Sequence, residues 1–287
     1  MNARSITTLA TMLGLALTQA CDTTDSPTSA TTPEPEIIAE TISNATPEAT
    51  AEALAVIQKI TKISGIVDPK IPKFGESIGT PDNGSEPGRH EGGRREINWD
   101  AVPAAFSNNN QFPEDFFNKN SPRGAVYEAE GGGGLRVSSN NFSDLNPTYK
   151  NELIPFSDPR MFATTGTRVF EQEFFIPGTQ IPALVRSFGA VVVDVDKPGL
   201  SRLKAFDKDG KLIANIAVPV RKNPDEYSLV GVTFTKPVIA EIQLTLGDTP
   251  PKKGVNDVSD GGTKDVVALD DLLYSEPVPR VVRQPAN

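Results

Sequence analysis

Phe188-Gly-Ala-Val-Val-Val-Asp-Val-Asp196, continuing into Ser201-Arg-Leu-Lys-Ala-Phe-Asp-Lys-Asp-Gly210, decides the class of fold. The first segment is a run of β-branched residues long enough for one strand and too short for a buried helix. Lys197-Pro198-Gly199 supplies a turn. The second segment alternates and ends in Asp209-Gly210, the signal of a tight hairpin. Working outward, residues 169–176, 212–218, 227–234, 238–246 and 266–274 repeat the pattern between Gly, Pro and Asp turns. No long helical period interrupts them. Short strands at regular spacing predict an all-β, antiparallel jelly-roll β-sandwich over residues 94–277, enough chain for one sizeable core. Residues 126–129 and 135–138 flank the Gly131–Gly134 run and predict a hairpin. That run lacks the Lys-Ser/Thr ending and the following helix of a phosphate loop.

Charge and composition narrow the chemistry. The chain has 287 residues, a net charge of −9, one Cys and one His. Acidity argues against a nucleic-acid partner, because phosphate binding needs a basic face. A single cysteine removes internal disulfides and thiolate metal clusters, and a single histidine argues against a His-based metal site or a Ser-His-Asp triad.

The N-terminal third reads as an address and a leash. Residues 1–20 carry Arg4 and then an apolar stretch too short to span a bilayer, ending in Ala20 directly before Cys21. That arrangement is similar to a bacterial lipoprotein signal, with Cys21 lipidated after cleavage. The alternative is an ordinary secretory peptide that leaves Cys21 as a free thiol. Residues 21–93 read as a largely disordered, extended tether, acidic and rich in Thr, Ser and Pro near its start. Leu54, Ile57 and Ile60 predict one short helix near 48–62, and His90 reads as a solvated linker residue. Residues 278–287 read as a disordered tail.

Several motifs carry a resemblance. They are 95–100 (Arg-Glu-Ile-Asn-Trp-Asp), Phe116-Phe-Asn, Ser121-Pro-Arg-Gly, Asn146-Pro-Thr-Tyr, 188–196, Leu229-Val-Gly-Val and 265–274, which ends Asp-Asp-Leu-Leu-Tyr. Together they resemble a family of uncharacterised bacterial secreted proteins that look like jelly rolls related to galactose-binding-like and lectin-type sandwiches. The resemblance implies that fold, with carbohydrate binding as its commonest use.

Candidate sites follow from residue chemistry. Asp194 and Asp196, two apart on one strand face, and Asp271, read as turned toward the core, are candidate Ca2+ ligands, since hard cations take oxygen donors. The structural alternative pairs Asp271 with backbone N–H groups or with Arg186. Asn256, Asp257, Asp260 and Asp265 form a Gly-rich acidic loop, read as a solvated loop or a second cation site. Sugar binding needs an aromatic face with polar neighbours, which singles out Trp99 with Asp100, and Tyr149 near Arg160; the alternative places Trp99 in the core. No pair of carboxylates stands out for glycoside cleavage. The expected function is an extracytoplasmic, lipid-anchored binding module without catalysis, glycan-binding and Ca2+-stabilised. A structural or adhesion module contacting another surface protein is the alternative, and a polysaccharide hydrolase or lyase a weaker one.

Overall fold

The computed structural model describes residues 55–280. Two antiparallel sheets make the sandwich. The larger runs in the order β1 (Ile57–Gly65), β11 (Tyr227–Phe234), β8 (Ser187–Val193), β13 (Ala268–Ser275), β5 (Met161–Thr165) and β4 (Gly134–Ser138), with β2 (Arg94–Ile97) also paired to β13. The smaller runs β10 (Leu212–Ala217), β9 (Arg202–Phe206), β12 (Glu241–Thr245), β6 (Val169–Phe174) and β3 (Ala125–Ala129). A ribbon of β7 (Ala183–Leu184) and β14 (Val278–Pro279) lies apart from both. The all-β sandwich predicted from the strand rhythm is what forms.

The quoted stretch shows why. Every residue of β8 is buried. Phe188, Ala190 and Val192 point into the core between the sheets, while Val191 and Val193 point outward into two further apolar clusters. Outward residues are covered by α1 (Ile71–Ile78), through Ile71, Phe74 and Ile78, and by Phe142, Tyr149 and Leu153. A strand buried on both faces needs an unbroken apolar run instead of alternation. The chain then leaves for the other sheet, where Asp207 and Gly210 close the β9–β10 hairpin as the Asp-Gly signal requires.

Five expectations are corrected. Residues 57–62 are not helical; they belong to strand β1, because Ile63 packs on the α1 side and the backbone pairs in register with β11, Ile63 opposite Leu229. Residues 48–54 lie outside the described part, as do Cys21 and the signal segment. Order begins well before Arg94, because α1 buries Phe74 on the outer face of β8 and β11, and the loop that follows wraps Arg95. His90 belongs to that loop: its N–H donates to Glu276 and its side chain is half-buried. Val278–Pro279 form strand β14, so residue 278 is not the start of a disordered tail. Finally, β3 and β4 are not a hairpin. The Gly131–Gly134 segment crosses between sheets, β3 pairing with β6 and β4 with β5.

Candidate functional site

Asp194 follows the last residue of β8 and adopts a left-handed backbone, φ 69°. That turn swings the chain so that Asp194 and Asp196 meet one guanidinium. Arg221 touches Asp194 through Nη2, donates from Nε to Asp196 Oδ1 at 2.7 Å, and donates from Nη1 to the Pro224 carbonyl at 3.0 Å. The acidic loop folds onto the same place. Asp257 accepts the N–H groups of Ser259 and Val266, both at 2.7 Å, and Asp265 accepts those of Asp196 at 3.0 Å and Lys197 at 3.2 Å. Asp257 and Asp265 are therefore fully buried instead of solvated. Their role in fixing the loop was not legible, because backbone N–H partners leave no mark in sequence.

Two overlapping sets of carboxylates result. One oxygen each from Glu152, Asp194 and Asp257 lie within 4.8 Å of one another, and so do oxygens from Asp196, Asp257 and Asp265. Against these five acids stands Arg221, since Lys197 is engaged by Asp248 and the Thr263 carbonyl. Asp194 is 1% exposed, and neither of its oxygens has an aligned hydrogen bond among the described residues. Burial pushes its carboxyl up to about 9, against the pull of Arg221. Burial likewise pushes Asp265 up to about 6 and raises Asp257. An excess of buried negative charge is relieved by a proton or by a cation. Oxygen donors alone, at this spacing, suit a hard divalent cation such as Ca2+. A cavity of about 400 Å³, lined in part by Asp196, Arg221, Asn223 and Ser259, opens beside them.

The remaining predicted residues sit elsewhere. Asp271 belongs to neither set. A bulge in β13 between Leu269 and Leu272 shifts the phase of the strand, so Leu272 takes the core position expected of Asp271; Asp270 is fully buried, Asp271 half-buried, and both meet Ser157. Arg186 is not its partner; Asp271 takes the Ser157 hydroxyl at 3.0 Å. Trp99 is no open platform. Its ring stacks on Phe162 at 4.3 Å, meets Phe117 edge-on at 5.3 Å, and its Nε1–H donates to the Asp270 carbonyl at 2.7 Å. Tyr149 is equally buried and its hydroxyl donates to the Val255 carbonyl at 2.6 Å. Asp100 and Arg160 do meet, through the Arg160 N–H and guanidinium, as a brace between loops.

Sequence reasoning missed a groove of about 530 Å³ where the two sheets end. Its walls include Val126 of β3 and Leu135 of β4, the edge strands of their sheets. Gln111, Glu114 and Gln180 line it, and their side chains make no hydrogen bond among the described residues. Asp115 and Lys119 form an ion pair at its rim, and Phe175 adds a half-buried ring. The signal in the sequence was Asn108-Asn-Asn-Gln111, four consecutive amides with no apolar residue to bury.

No protein-family model matches the chain, and no curated protein matches its sequence. Among solved structures it is similar to the carbohydrate-binding module TmCBM61, solved in complex with beta-1,4-galactotriose. The identity is 13% and the TM-score 0.26, over 58% of this chain and 95% of that one. A likeness at that level transfers no site and no ligand.

Proposed function

We infer that this protein is a non-catalytic binding module held outside the cytoplasm by a lipid on Cys21, and that its sandwich takes a glycan in the groove between β3 and β4. The observation that carries the glycan reading is the set of unspent polar side chains there. Gln111, Glu114 and Gln180 offer donors and acceptors to hydroxyl groups beside the Phe175 ring, the mixture a sugar presents in reverse. The acidic cluster around Arg221 plays a supporting part: Ca2+ held by Glu152, Asp194, Asp196, Asp257 and Asp265 would join three loops. The carboxyls with strongly raised affinity for protons lie in buried clusters and not across the groove, which supports binding over hydrolysis.

The test is a glycan array with the protein carrying Cys21→Ser, with and without Ca2+. Binding to a defined glycan class, lost in Gln111→Ala and Glu114→Ala, is the expected outcome. Binding that survives both substitutions would place the site elsewhere, and silence across the array would remove the reading. One observation favours a protein partner as the second reading. β1 is an edge strand with Ile57 and Ile60 exposed, and an open strand edge is where another chain can pair.

A further inference from the structure

The short helix α2 (Phe116–Lys119) contributes Lys119 to the groove described above, and Phe116 and Phe117 to a second cavity of about 310 Å³. Local sequence explains the hollow. Ala101 and Pro103 stand opposite α2, and neither a single methyl nor a closed ring reaches across to fill the space. From that side Phe106 extends furthest, its ring meeting Phe116 edge-on at 5.4 Å. The floor is dry: Trp99, Val102, Phe116 and Phe117 are each 5% exposed or less. The rim is polar. Asn98 and Asn120 are exposed there, and neither side-chain amide makes a hydrogen bond among the described residues. An apolar interior with a few polar groups at the mouth is the make-up of a small-molecule site, and the volume sits at the lower end of the roughly 300–1,000 Å³ such sites span.

In a chain of net charge −9, the one charged side chain lining this cavity is a cation, Arg123. Its Nε donates to the Glu96 carbonyl at 2.7 Å and its Nη1 to the Ser121 hydroxyl, while Nη2 makes no hydrogen bond among the described residues. The guanidinium also lies 5.7 Å from the centre of the Phe117 ring, a cation–π contact that holds it against the apolar wall. No carboxylate pairs with Arg123 among the described residues, in contrast with Arg95, Arg136 and Arg221. Glu96, whose carbonyl it holds, turns its own carboxylate to Arg94. A half-buried guanidinium, fixed in place and without a counter-ion, is a prepared donor for an anion, because such bonds are charge-assisted. The groove on the other side of α2 has the opposite bias, since the unspent carboxylate there is that of Glu114.

We propose that this cavity is a second ligand site, independent of the glycan groove, and that it takes a small aromatic carboxylate: the ring seated among Phe106, Phe116 and Phe117, the carboxylate bonded to Nη2 of Arg123 at the mouth. The rings set the body of the guest. Phe106 and Phe117 stand at 66° and 75° to Phe116, and rings inclined in this way receive a further flat ring edge-to-face. Arg123 sets the head group, and the amides of Asn98 and Asn120 supply further donors beside it.

The test uses the full chain carrying Cys21→Ser, with phenylacetate as the charged probe and phenethyl alcohol as its neutral counterpart, each titrated at low salt by NMR of the probe. Phenylacetate should bind about tenfold or more tightly than the alcohol, the worth of one charge-assisted hydrogen bond. Acetate, with the charge and no ring, should not compete. Arg123→Gln should erase the advantage of the acid and leave the alcohol as it was. The proposal is overturned by absence of phenylacetate binding, by equal affinities for the two probes, by displacement with equimolar acetate, or by an advantage that survives in Arg123→Gln. Should that variant fail to fold, because Glu96 and Ser121 lose their partner, Asn120→Asp decides. Asn120 is exposed and its side chain unbonded, so the fold is kept, and a negative charge at the mouth should weaken phenylacetate severalfold without touching the alcohol. An undiminished affinity for the acid in Asn120→Asp sinks the site.

Discussion

Arg95 is completely buried, and its guanidinium spends every donor. Nε and Nη2 fork onto Glu276 at 2.7 and 2.8 Å, and Nη1 reaches the Glu86 and Gly84 carbonyls at 2.6 and 3.0 Å. This one side chain orders the Pro- and Gly-rich loop 80–93 that composition marks as a linker. Carbonyl cages have no sequence signature, so the loop's order was illegible from its own residues. Trp99 and Tyr149 illustrate the converse: their types suit ligand platforms, but only packing decides, and both are core. Asp194 and Asp196 were found from their spacing, whereas Arg221, 25 positions beyond Asp196, was not. Arg95→Met is expected to cost about 3–5 kcal/mol, because Glu276 would remain buried without its partner. Urea unfolding followed by fluorescence measures it, and a loss under about 1 kcal/mol would contradict the role given to the pair.

At the scale of elements, β8 was legible because a fully buried strand shows itself as an unbroken β-branched run. β1 was not, since Leu54, Ile57 and Ile60 fall at helical spacing in an Ala-rich stretch; the free edge of β11 decides the matter through backbone pairing. The bulge in β13 misled in the same way, shifting the phase of inward residues at Asp270 and Asp271. How α1 sits on the sheet rests on two glycines. Gly189 and Gly231 are register partners in β8 and β11, and a Cβ on Gly189 would lie 2.2 Å from Phe74 Cε1. Gly189→Ala should therefore destabilise by about 1–3 kcal/mol through overpacking. Combining it with Phe74→Leu should cost less than the sum of the two changes, and strict additivity in a double-mutant cycle would show that the ring does not rest there.

For the whole molecule, the buried carboxyls set a pH dependence. Asp194 and Asp270 are pushed to about 9 and Asp265 and Asp271 to about 6, each from 3.8. The folded state therefore binds more protons than the unfolded chain above pH 3.8. Their contribution is fully present below that value and is lost as pH climbs through 6 and then 9. Thermal melts should show the highest Tm in mildly acidic buffer and a decline toward pH 9; a Tm that rises over that interval would refute the assignment. Ca2+ on the Arg221 cluster competes with those protons, so at a hundredfold excess over its Kd it should add about 2.7 kcal/mol and flatten the decline. Equal melts in Ca2+ and in chelator would take the cation away. The strand that β8, β5 and β2 all require as a mate is supplied by Ala268–Ser275, so vectorial synthesis hands over the middle of the larger sheet after every strand except β14. A nascent chain stopped short of Ala268 has two half-sheets and no seam between them, and closure waits for Ala268–Ser275 to emerge.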